Sequence, residues 1–127
     1  MKPEERKRAL NISFFEKCKA GDLEGAKELL AVGADLHAGE EAALWIASEK
    51  GYGEIVSFLL ENGADLHALD DRALRSACGH GRVDVARLLL ARGANAHANE
   101  DDALLKAADG GFQEIVELLL GQGDVLL

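Results

Sequence analysis

The chain has 127 residues, is 48% apolar and carries a formal net charge of −9, which fits a single domain spanning residues 1–127 and excludes a disordered chain. No apolar run approaches the roughly 18 residues of a membrane span, and no signal-peptide core follows Met1–Arg8, so a cytosolic protein is expected. The charge is uneven: residues 1–38 sum to zero, whereas residues 39–127 hold seven basic and sixteen acidic side chains. Such a surface repels phosphate and argues against direct nucleic-acid binding, while it speeds association with a basic partner; plain solubility accounts for the same charge equally well.

The first predicted element is a helix over residues 3–19, with Pro3 near its start and Leu10, Phe14 and Cys18 on one face. Lys2, Arg6, Lys7, Arg8, Lys17 and Lys19 keep this end polar, as a closing unit requires. Beyond it the chain repeats. Gly33-Ala34-Asp35, Gly63-Ala64-Asp65 and Gly93-Ala94-Asn95 recur every 30 residues, and Gly123-Asp124 continues the series in short form. Gly21, Gly51, Gly81 and Gly111 stand twelve residues before each of these. Paired leucines at 29–30, 59–60, 89–90 and 119–120 keep the phase, as do His37, His67 and His97. Four units follow, at 1–38, 39–68, 69–98 and 99–127.

Each unit reads as two helices. In the first, Ala43, Leu44 and Ala47 share a face, repeated by Ala73, Leu74, Ala77 and by Ala103, Leu104, Ala107. In the second, Ile55, Val56, Leu59 and Leu60 form an apolar stripe, as do Val85, Ala86, Leu89 and Leu90. The glycines at 21, 51, 81 and 111 suit the turn between the helices, and those at 33, 63, 93 and 123 suit a left-handed position after the second. The acidic pairs Glu40-Glu41, Asp70-Asp71 and Glu100-Asp101 open the first helices, where they favour the dipole and can cap free N–H groups. A single pair cannot bury its apolar face, but stacked pairs share a continuous core. No polar helix closes the C-terminal end; either the Val125-Leu126-Leu127 tail folds over it, or the end self-associates.

Little in this pattern carries reaction chemistry. Cys18 and Cys78 share a register two units apart, roughly 20 Å, too far for a disulfide. The histidine ladder is spaced too widely to share a metal ion, which leaves it a turn role. No nucleophile motif or phosphate loop is present. No enzyme activity, metal or cofactor is expected.

The pattern Ala-Leu-x-x-Ala, Gly, an Ile/Val-rich second helix, Leu-Leu, Gly-Ala-Asp and Ala, clearest over residues 43–68, resembles the ankyrin-repeat family. The likeness runs from residue 11 to 124. It implies an all-α, ankyrin-type solenoid of about four stacked helix-turn-helix repeats. The spacing of 30 in place of about 33, with Ala42-Ala43-Leu44-Trp45 where the family has Thr-Pro-Leu-His, is similar to the short-loop variety of giant DNA viruses and some bacteria, and implies truncated hairpin loops. The resemblance further implies a non-catalytic module that binds a protein through its concave face, built from the loops before the first helices and their exposed positions. Those positions hold Glu40 and Glu41, Asp70 and Asp71, Glu100 and Asp101, then Glu49, Lys50 and His80. Trp45, Arg75 and Leu105 occupy the family-histidine position, which varies while its neighbours stay constant. With Tyr52 they form an expected contact stripe, since Trp, Tyr and Arg dominate interface energies. Trp45 has a second reading, as filler of the space left by the missing loop residues. The alternative function is an acidic, nucleic-acid-mimicking inhibitor of a DNA- or RNA-binding protein, such as a viral or mobile-element counter-defence factor.

Overall fold

The computed structural model describes residues 1–122; the expectations for Gly123 and for the tail at 124–127 fall outside them. Eight helices make up the described chain: α1 (Pro3–Ala20), α2 (Leu23–Ala31), α3 (Ala38–Lys50), α4 (Gly53–Glu61), α5 (Ala68–Gly79), α6 (Val83–Ala91), α7 (Ala98–Asp109) and α8 (Gln113–Leu120). There is no strand among the described residues, and no helix is long and apolar enough to cross a membrane. The odd-numbered helices lie side by side, α3 against both α1 and α5, and α5 against α7; α4, α6 and α8 form a second row. Each odd helix packs on the even helix that follows it.

The repeated apolar residues fill the space between the rows. Phe14, Leu44 and Leu74 occupy one register and are fully buried, as are Leu59 and Leu89 in the second row. Ala47, Ala77 and Ala107 are solvent-free, and their small side chains let neighbouring odd helices approach closely. Cys18 and Cys78 are buried free thiols. Burial pushes both up to about 12, so neither is a thiolate at neutral pH.

The turn glycines do two jobs. Gly21, Gly51, Gly81 and Gly111 have φ between 75° and 81°, a conformation that disfavours a side chain. Three of them also receive a residue from the next repeat. Tyr52 lies over Gly21, the Arg82 stem over Gly51 and Phe112 over Gly81, where an added Cβ would stand 2.8 Å from the Phe112 ring. Arg82 Nε further donates to Glu49 O at 2.9 Å. Tyr52 is therefore half-buried in an inter-repeat contact.

The acidic pairs are not helix caps, and this corrects the sequence reading. Residues 39–41, 69–71 and 99–101 each form a three-residue left-handed turn, with φ from 54° to 68°. Eight of these nine residues are not glycine, and each such residue is disfavoured by about 1 kcal/mol or more. Two sets of contacts hold the turn. One is local: Arg75 donates from Nε to Asp70 O at 2.8 Å and from Nη2 to Leu69 O at 2.7 Å. The other is long-range. Asp35 N donates to Asn11 Oδ1 at 2.7 Å, Asp65 N to Glu41 Oε1 at 2.9 Å, and Asn95 N to Asp71 Oδ2 at 2.7 Å. The histidine ladder completes this latch, since His37 Nδ1 lies 2.5 Å from Glu41 Oε2 and His67 Nδ1 lies 3.0 Å from Asp71 Oδ1. Glu41 and Asp71 thus each tie the histidine that ends the preceding repeat to the loop near the end of their own, a bond across 24 residues that no local pattern reveals.

Candidate functional site

Three positions of the first helices differ in every repeat. Where α1, α3 and α7 carry Ile12, Ala42 and Asp102, α5 carries Arg72; where they carry Glu16, Ile46 and Lys106, it carries Ser76; and where they carry Lys19, Glu49 and Asp109, it carries Gly79. The inward residues Ala73, Leu74 and Ala77 conform. Missing bulk at Gly79 leaves room into which the Lys106 stem leans, 3.3 Å from the position of an added Cβ. The result is an open groove of about 690 Å³ on the α3–α5–α7 face, with Glu49 on one wall, Lys106 on the other and Arg72, Arg75, Ser76 and His80 between.

The groove is of mixed charge. Three cations, Arg72, Arg75 and Lys106, face it with two carboxylates, Glu49 and Asp70. Arg75 is committed to the fold: besides the two loop carbonyls it reaches Asp102 Oδ2 from Nη1 at 3.1 Å. Lys106 Nζ stands 3.3 Å from the same oxygen. Burial pushes the Asp102 carboxyl up, but hydrogen bonds and charge from Arg75 and Lys106 outweigh this and hold it below the ordinary carboxylate range. A depressed carboxyl contributes stability that is fully present at neutral pH and is lost as pH falls through its lowered value. In Arg75→Gln, carboxyl NMR is expected to show Asp102 titrating at higher pH than in the parent, and circular dichroism to show acid unfolding beginning earlier. An unchanged Asp102 titration would remove Arg75 from this role.

His80 Nδ1 donates to Ser76 O at 2.8 Å, and its Nε2 lies 4.0 Å from Glu49 Oε1. Trp45 is half-buried beside Asp65, Leu66 and Ala68 of the following loop, so it does fill space beneath the short loop. Its indole N–H is buried without an acceptor. The Arg72 guanidinium covers the ring, its carbon 3.7 Å from the centroid.

The structure brings together Glu49, Asp70, Arg75 and His80 of the expected contact residues. Glu41 and Asp71 are withdrawn from the contact surface: they are 7% and 4% exposed because their carboxylates serve the inter-repeat latch. Asp101 pairs with His97 at 2.6 Å and keeps half its surface in water. Glu40 and Glu100 are exposed on their turns. Leu105 is 60% exposed on α7 and lies outside the groove lining. Lys50 lies at the turn edge, near Gly51, Gly81 and Arg82. Arg72, Ser76 and Lys106 were missed by sequence reasoning; comparing the outward positions of each first helix across repeats would have found them. Among the described residues, no group of three or more His, Cys, Asp or Glu side chains could hold a metal ion.

A row of stacked helical hairpins, with a constant interior and a variable outer face, defines a repeat solenoid. A family model described as ankyrin repeats, in three copies, matches residues 14–100, and the chain belongs to the ankyrin-repeat family. Members are generally protein–protein interaction modules and typically non-catalytic. A search of curated proteins gives no match.

Proposed function

We propose that the α3–α5–α7 face binds a segment of a protein partner, seated in the groove between Glu49 and Lys106. The observation that carries this reading is the groove itself, lined on α5 by Arg72, Arg75, Ser76 and Gly79, at positions that vary between repeats and that packing does not fix, because α3 and α7 fold with other residues there. Glu40, Asp70 and Glu100 form an exposed acidic edge that steers basic residues of the partner toward the groove. Leu105 offers apolar area beside it. A nucleic-acid mimic would present an evenly anionic surface, and the three groove cations weigh against that reading.

The test blocks the groove from within. Ser76→Arg places a long side chain in its centre, at a half-buried position whose register on α7 already holds Lys106, where a good helix former is tolerated. Peptides selected on the parent protein from a random dodecapeptide library are expected to bind this variant about tenfold or more weakly, a loss of about 1.4 kcal/mol. Equal binding by parent and a folded Ser76→Arg variant would place the interaction elsewhere.

A further inference from the structure

Arg72 differs from the other cations of the groove. Arg75 and Lys106 both answer Asp102. Arg72 has the Trp45 ring as its partner, and its N–H groups meet no acceptor among the described residues. Stacking on an aromatic face holds a guanidinium in position without using its donors, which radiate in the plane of the group. The stack is not a repeat feature either: the register of Arg72 holds Ile12, Ala42 and Asp102 elsewhere, and Trp45 is the only tryptophan. A fixed, half-buried guanidinium inside the groove, with its hydrogen-bonding capacity unspent, is a receptor for a planar anion.

We infer that the Trp45–Arg72 stack recognises a side-chain carboxylate of the bound segment, so that the partner presents an Asp or Glu here despite this protein's acidic net charge. The inference rests on the proposed use of the groove and specifies its partner. A carboxylate fits better than a phosphate. One guanidinium is unspent, and Glu49 and Asp70 also face the groove, where they repel a dianion more strongly than a monoanion. The partner segment then carries an acid for the groove and basic residues for the outer edge formed by Glu40, Asp70 and Glu100.

The experiment uses the library-selected peptides, read by the emission of the single tryptophan and by calorimetry. The selected peptides are expected to share an Asp or Glu, and its replacement by the amide to weaken binding about tenfold on the parent protein. On Arg72→Gln the acid and amide peptides are expected to bind alike, and on Arg72→Lys to differ by less than on the parent. Selected peptides without a shared acid, an acid–amide difference that survives Arg72→Gln, or tighter binding of a phosphoserine replacement would each overturn the inference. Peptides blocked by Ser76→Arg but indifferent to Arg72→Gln would refute the carboxylate and leave the groove reading standing. Peptides indifferent to Ser76→Arg, or no selected peptide at all, would refute both.

Discussion

Asp71→Ala is expected to lower the free energy of unfolding by about 3 kcal/mol, and Asp71→Asn by less than about 1 kcal/mol. The carboxylate is 4% exposed, accepts from Asn95 N at 2.7 Å and faces His67 Nδ1 at 3.0 Å. Truncation leaves the Asn95 N–H, in the loop that leads into the fourth repeat, without its acceptor and frees a left-handed turn that is intrinsically unfavourable. The asparagine variant keeps an acceptor oxygen where it is needed. The protein already contains this solution, because Asn11 Oδ1 accepts from Asp35 N at 2.7 Å in the first repeat. Urea titrations of the parent and both variants at neutral pH decide the matter. If alanine and asparagine are equally destabilising, the loop bond is not what the carboxylate supplies.

Leu74→Ala is expected to cost about 3–4 kcal/mol, and Leu104→Ala about 1–2 kcal/mol. The two leucines hold the same register, one repeat apart, and in sequence are interchangeable. Leu74 has no exposed surface because α5 is covered by both α3 and α7, whereas Leu104 on α7 is half-buried. Deleting a fully enclosed side chain removes its transfer energy and leaves a void lined by the neighbouring helices; at a partly open site the loss is smaller and surrounding groups or water can occupy the space. The same urea titrations yield the ranking, and a larger loss at Leu104 would contradict the packing order described above.

The helices, their order and their buried faces were legible in the chain. A period of 30 residues, the apolar stripes and the glycine register state locally which residues turn inward, and the described helices follow them. The site was legible only in part. Arg75 and His80 were among the expected contact residues, whereas nothing local distinguishes Arg72 on the same helix, whose place over the Trp45 ring depends on the packing of α3 against α5. Trp45 fills space under the loop, one of its two readings, and also carries the Arg72 stack, which its sequence position did not suggest.

The acidic pairs mark where local reading ends. Asp70 and Asp71 are adjacent and chemically identical, and the sequence offers both as helix-opening carboxylates. The left-handed turn sends Asp70 into water and Asp71 onto the loop that leads to the next repeat, 24 residues away. Repetition alone determined that this protein is a helical solenoid with an even interior, because each repeat's pattern is satisfied by short-range geometry and by an identical neighbour. Which carboxylates are structural, which arginine is unspent and where the groove opens were decided only by the stacking of unlike repeats, since those properties depend on atoms brought together across the repeat boundary.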